Sequence, residues 1–262
     1  MTGARQGEAA AGRELVTAFA EAAAQVIGTV ASADLRARVP ACPDWSTYDL
    51  IVHLGNVHAW AATIVETGSR APYQDDHPRS HRPRHVAEWY AGKAEDLLRV
   101  FDEADLAEDC WTFAPEDRTK GFWPRRQAHE TLIHLVDLHQ SQGTPFDLPV
   151  PLAADGVAEV LEVFVPRMHR RGEPTDLTAP LVLLLSDSGD AWTLLPRPDG
   201  PPEVVPGVDD EGSSGDLPDL VEAPAVDLVQ VLWKRLPYDH PSVRFGGDLG
   251  RVTRFLQSPL TP

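Results

Sequence analysis

Residues 125–140 read RRQAHETLIHLVDLHQ, with His129, Glu130, His134, Asp137 and His139 set among regularly spaced apolar residues. The periodicity is helical, and a helix turns about 100° per residue. Glu130 and His134 therefore lie roughly 40° apart in projection, on one face, where both can reach a single ion. Asp137 follows one turn beyond His134, near that face. His129 and His139 each lie five residues from His134 and point elsewhere. The string is H-E-x-x-x-H, one residue longer than the H-E-x-x-H of zinc proteases. Its Glu would accordingly be a ligand rather than a base.

The element carrying this stretch runs over about 122–142 and stops at Gly143, a suitable C-cap. Three helical patterns precede it. One spans 8–30, with Leu15, Phe19, Ala22 and Val26 at helical spacing. A second spans 47–67, opened by a capping box of Ser46 and Asp49, and a third spans 84–104, with Val86, Trp89, Tyr90, Leu97 and Phe101 as its inner stripe. Turns and polar loops join them at 38–45, 69–83 and 107–121. Four such helices suggest a bundle.

Two ligands on one helix need a third from another. The second helix offers His53 and His58 in LIVHLGNVHAW, five apart, so only one can face the site. His53, one turn after Asp49 in an apolar run, is preferred. Two His and one carboxylate with an open position suit catalytic zinc, and would suit other divalent metals. Such a site lowers the pKa of a bound water or thiol and holds it as a nucleophile. The spacing also admits a plainer reading, in which these side chains are surface or satisfied core residues. Ten histidines in 262 residues produce some i,i+4 pairs by chance.

Beyond 143–152, where Pro145, Pro149 and Pro151 mark a boundary, the pattern changes. A helix over 152–170 leads to β-like runs at 180–186, 191–196 and 203–206, an acidic loop at 207–219, a helix at 224–236, the piece VRFGG at 243–247 and a last helix at 248–257. This is a smaller α+β domain over 148–262, following an all-α domain over 1–147.

The balance of 23 Lys plus Arg against 40 Asp plus Glu gives a net charge of −17. A field of that sign repels phosphate backbones and anionic lipid, which argues against nucleic acid and membrane surfaces as partners. Two cysteines make no disulfide framework, no apolar run is long enough to span a membrane, and MTGARQGEAAAGREL lacks a signal peptide's apolar core. A cytoplasmic location is expected. The sequence leaves monomer and homodimer open.

Three stretches carry a resemblance. VPACPDWSTYDLIVHLGNVHAWAATIVETG at 39–68, WTFAPEDRTKGFWPRRQAHETLIHLVDLHQ at 111–140 and EAPAVDLVQVLWKRLP at 222–237 are together similar to the mycothiol-dependent maleylpyruvate isomerase family. The resemblance implies an N-terminal DinB-like four-helix bundle and a small C-terminal α+β domain. It implies a divalent metal, usually zinc, held at positions that here are His53, Glu130 and His134. It implies an Arg at position 235 that meets a carboxylate of the substrate or of the thiol cofactor. Asp137 matches the family's Asp, and we read it as a partner orienting His134. Lys234 departs from it, standing where a small or polar residue is expected. The implied chemistry uses mycothiol, whose thiolate adds to an electrophilic carbon, giving S-transfer or, after rotation and elimination, cis–trans isomerisation of a small-molecule substrate.

Other residues have plainer roles. Cys42 and Cys110 read as packing, as do most of Trp45, Trp60, Trp111 and Trp123, although these could wall a pocket. Arg125 and Arg126 could draw a carboxylate to the helix entrance. His81 and His85 read as solvated. Serine-hydrolase chemistry has no supporting context. Two other functions stay open: a non-catalytic metal- or ligand-binding DinB-like protein, and a metal hydrolase that uses no thiol.

Overall fold

The structure, a computed structural model, describes residues 2–208 and 218–262, with the backbone alone over 2–11. Most of the acidic stretch expected as a loop at 207–219 lies outside the described residues. The chain divides into two compact units. The first holds the residues up to Thr112 together with Glu116–Asp147, and the second holds Phe113–Pro115 and Leu148–Pro262.

The first unit is built on α1 (Thr2–Val30), α2 (Thr47–Thr67), α3 (Pro83–Glu103) and α4 (Phe122–Gln142). Each of α1 and α2 packs against both α3 and α4. Local chemistry sets the ends. Ser46 and Asp49 form the capping box expected for α2, Oδ2 of Asp49 accepting from the Ser46 backbone at 2.8 Å. Gly68 and Gly143 end α2 and α4 with φ of 66° and 64°, a left-handed geometry that costs glycine little. The core is continuous from Phe19 and Val26 through Leu50, Leu54 and Ile64 to Tyr90, Leu97, Trp123 and Leu135, all buried.

Between α1 and α2 the chain forms a small antiparallel pair, β1 (Arg38–Val39) and β2 (Cys42–Ser46), that the sequence reading treats only as a turn. The two prolines obscure it, and its bulged register is irregular. The long loop after α2 is pinned from below. The amide of buried Asn56 donates to Asp76 O at 2.9 Å and accepts from Asp76 N–H at 3.2 Å, while Lys93 pairs with the Asp76 carboxylate at 2.8 Å.

In the second unit the helix expected over 152–170 is α5 (Val150–Glu159), a π turn (Val160–Phe164) and α6 (Val165–Arg170). Five strands follow the order β5-β4-β3-β6-β7, with β3 (Leu181–Leu185), β4 (Ala191–Leu195), β5 (Glu203–Pro206), β6 (Asp219–Ala223) and β7 (Arg244–Gly246). β3, the apolar LVLLL, is central and pairs antiparallel with β4 and parallel with β6. β6 is not anticipated from DLVEA. Its Asp219 looks like loop, yet is buried because Arg251 forks onto it at 2.7 and 2.9 Å. α7 (Ala225–Leu232) is shorter than the 224–236 expected, and α8 (Leu249–Gln257) closes the fold. Among the described residues no helix is long and apolar enough to cross a membrane.

Candidate metal centre

α4 presents Glu130 and His134 on one face, as helical geometry requires, and α2 lays His53 against them. Oε1 of Glu130 stands 3.3 Å from Nε2 of His53 and 3.3 Å from Nε2 of His134. The three candidate donor atoms lie within 4.8 Å of one another. A spacing of 3.3 Å is long for an N–H···O hydrogen bond. It matches the edge of a tetrahedron drawn with metal–ligand bonds of about 2.05 Å, roughly 3.3–3.4 Å. The donor set, two imidazoles and a carboxylate, is that of catalytic zinc sites. The donor chemistry and the two Glu130 spacings therefore suit a divalent cation.

The surroundings hold this set in place. Nδ1 of His134 faces Oδ2 of Asp137 at 2.9 Å, and Asp137 is fully buried. With Nδ1–H donating to that carboxylate, Nε2 is the atom left to face Glu130. The second oxygen of Glu130 accepts from Nη2 of Arg126 at 2.7 Å. Arg126, expected to meet a carboxylate at the helix entrance, is 2% exposed, and that carboxylate belongs to the protein's own Glu130. An i,i+4 contact on the inner face of α4 decides this.

The electrostatics follow from these contacts. Burial alone would lift the Glu130 carboxyl, but the Arg126 charge and the bonds with His134 and His53 hold it well below the usual carboxylate range. Burial would lower the His134 pKa, yet Asp137 and Glu130 outweigh it and raise it to about 9. Without a cation, His134 is thus an imidazolium at neutral pH, and its Nε2 proton points at Glu130 from the place an ion would take.

Trp45 closes one side. Its ring centroid is 4.8 Å from that of His53 and 6.3 Å from that of His134. Of the four tryptophans considered from sequence, Trp60, Trp111 and Trp123 instead pack on one another. Proximity of Trp45 to His53 in sequence is the only signal that could have singled it out. Tyr73 is a second residue that sequence reasoning missed. It rises from the pinned loop, half exposed, with its pKa raised by burial and by the nearby Asp75 and Glu130 charges despite a hydrogen bond with Asn56.

The other histidines stay apart. His58 is fully buried, with Nδ1 2.7 Å from Gln127 Oε1 and Nε2 3.0 Å from the Tyr90 hydroxyl. Burial lowers its pKa to about 4, so it is neutral. His139 bonds Thr144 and stacks on Phe146, and His81 stacks on Tyr48. Cys110 is a buried thiol whose pKa burial raises, as a packing residue's would be. Arg235 lies in the second unit, just past α7.

The chain is thus a protein of two units, one helical and carrying a His–Glu–His cluster able to hold a divalent cation, the other built on a mixed sheet. Residues 16–139 match the family described as mycothiol maleylpyruvate isomerase N-terminal domain, and residues 151–254 match the MDMPI C-terminal domain. The chain belongs to the mycothiol-dependent maleylpyruvate isomerase family, a family of enzymes. Its fold is similar to the crystal structure of the mycothiol-dependent maleylpyruvate isomerase, with a TM-score of 0.59 and 15% identity over 90% of this chain and 92% of that one. A histidine-to-alanine mutant of that enzyme matches with a TM-score of 0.57 and 14% identity over 84% and 88%. No curated protein sequence matches the chain significantly.

Proposed function

We propose that this protein is a metal-dependent enzyme that uses mycothiol as a nucleophile toward a small electrophilic substrate, by S-transfer or by cis–trans isomerisation. The observation that carries the reading is the pair of 3.3 Å spacings from Glu130 Oε1 to the two imidazole nitrogens, the edge length of a tetrahedral zinc site. In this reading the first unit is a DinB-like four-helix bundle, supported by the ring of helix contacts. His53, Glu130 and His134 would hold the ion, with zinc favoured by the donor set. When bound, it would lower the pKa of an arriving thiol and so supply the reactive thiolate near neutral pH.

The protein's own groups do the rest. Asp137 fixes the His134 tautomer, and Arg126 keeps Glu130 ionised and aimed at the imidazoles. Trp45 covers the two His rings and excludes water from that side. In isomerisation the thiolate sulfur bonds to an alkene carbon, the double bond becomes single and rotates, and elimination returns the thiolate with the trans alkene. In S-transfer the carbanion left by the addition takes up a proton, equivalent to the one the thiol lost, and the adduct is the product. Arg235 is the residue proposed to meet a carboxylate of substrate or thiol.

Metal analysis of the purified protein, followed by thermal-shift titration with mycothiol, glutathione and cysteine, tests the proposal. A ligand that binds only the folded protein raises its melting temperature in proportion to RT ln(1 + [L]/Kd). Stoichiometric divalent metal and a shift selective for mycothiol are expected. A metal-free protein that binds no added zinc, or one indifferent to mycothiol when loaded, refutes it.

A further inference from the structure

α7 ends on a residue where local geometry calls for glycine. The helix closes in a Schellman motif: Lys234 N–H bonds Val231 O at 3.0 Å and Arg235 N–H bonds Gln230 O at 2.7 Å. At the turn, Lys234 has a φ of 61°, the one positive φ outside glycine among the described residues. A side chain at that position is strained, and glycine is the usual occupant. Such strain persists where the surroundings over-determine the conformation.

The surroundings here are a second helix end. The Lys234 ammonium donates to the backbone oxygen of Leu256, in the last turn of α8. That oxygen is one of the carbonyls a helix leaves without an internal partner, at the negative end of its dipole. A single side chain therefore ties the end of α7 to the end of α8, and glycine could not. Arg235 comes next in the chain. Its Nη1 donates to Trp233 O at 2.7 Å, and its guanidinium lies 5.7 Å from the Trp233 ring centroid. Trp233 is itself buried on Phe164, with ring centroids 5.0 Å apart. Lys234, Arg235, Tyr238, Leu256 and Gln257 line a cavity of about 440 Å³.

We propose that Lys234 is a positioning residue, locking the left-handed turn against α8 so that Arg235 presents its guanidinium to a carboxylate-bearing ligand in this cavity. The inference rests on the proposed role of Arg235 as the carboxylate contact. The Lys234 ammonium is anchored on Leu256 O, so the role proposed for it is to hold the turn rather than to meet the ligand.

The test separates binding from folding. Maleate, a small dicarboxylate, is titrated calorimetrically into the metal-free protein and into the Lys234→Gly and Arg235→Ala variants, and melting temperatures are recorded. Lys234→Gly relieves the strained turn while losing one hydrogen bond, so its melting temperature should stay within about 2 °C of wild type. Its maleate Kd should nonetheless rise about tenfold, as should that of Arg235→Ala. A Lys234→Gly Kd equal to wild type, with Arg235→Ala weakened, overturns the inference and leaves the role of Arg235 standing. Wild type and Arg235→Ala binding alike, or neither binding, overturns that role and the inference with it. If Lys234→Gly does not fold, Lys234→Asn, which also accepts a left-handed backbone, carries the same two readouts.

Discussion

Zinc affinity should climb steeply between pH 7 and pH 9. Asp137 and Glu130 hold the His134 pKa at about 9 in the metal-free protein, against an ordinary value of 6.5. An ion can reach Nε2 only after the proton leaves, so affinity rises with pH until His134 has titrated. At pH 7 the proton competes by two pKa units, which weakens apparent binding ~100-fold, or about 2.7 kcal/mol. The affinity should therefore gain about tenfold per pH unit and level off above pH 9, with close to one proton released from His134 per ion. Competition against a chromophoric chelator of known pH dependence gives the slope. Calorimetry in two buffers of different ionisation heat gives the proton count. The same proton acts on stability in the opposite sense. A folded-state pKa raised above the unfolded one stabilises the metal-free protein below pH 6.5, and this contribution, about 3 kcal/mol, is lost as pH rises through 9. Asp137→Asn removes the charge that holds the proton and should shift the steep region toward neutral pH. A wild-type affinity that is flat within threefold from pH 7 to 9 would refute the reasoning, because Nε2 of His134 would then not be the atom where proton and ion compete.

Three further outcomes follow from named contacts. His134→Ala should abolish stoichiometric zinc binding while the helical circular dichroism is retained; full metal content in the folded variant contradicts the assignment. Buried His58 has its pKa lowered to about 4, so the stability it contributes above its unfolded pKa of about 6.5 should fall by about 3 kcal/mol as pH drops from 6.5 to 4. His58→Gln should flatten that slope in urea titrations of the metal-free protein, and equal slopes would sink the claim. Gly55→Ala should destabilise by about 1–3 kcal/mol even though alanine is the better helix former, because a Cβ there would stand 2.4 Å from the Trp89 ring; a higher melting temperature would show that Trp89 gives way freely.

The parts of this fold legible in the sequence are those specified within a few residues. The long helices announce themselves by apolar period, and α2 and α4 by caps that need no distant partner, namely Ser46 with Asp49 at the start of one and Gly143 at the end of the other. Glu130 and His134 are legible as a pair for the same reason, since four residues on a helix fix their separation. What is not legible is set by distant contacts. Asp219 reads as loop because Arg251, which makes its burial tolerable, stands 32 residues away. Trp45 reads as one aromatic among several, since only the return of α4 brings His134 beside it. Arg126 reads as an exposed anion hook, because its neighbours on the inner face of α4 cannot be weighed before packing is known. Lys234 carries no sign of its left-handed backbone, for nothing about lysine suggests it.

Charge within the buried cluster also bears on which ligand suits it. Buried ion pairs seldom stabilise a fold beyond what an apolar replacement would give, so a set such as Arg126, Glu130, Asp137 and protonated His134 calls for a use. In the metal-free state these four groups balance, two positive against two negative. Exchanging the His134 proton for a divalent cation leaves one positive charge in excess, in a setting where burial magnifies it. A neutral ligand would leave that excess standing, whereas an anion would cancel it. In the proposed reading, the metal-loaded cluster would therefore favour an arriving thiolate over a thiol or a neutral water. Neutralising Arg126, for example as Arg126→Met, removes the excess and should raise the pKa of a thiol bound to the zinc-loaded protein, readable as a shift of the thiolate absorbance to higher pH. An unchanged thiol titration in a folded, fully metallated Arg126→Met protein would show that the cluster's charge does not select its ligand.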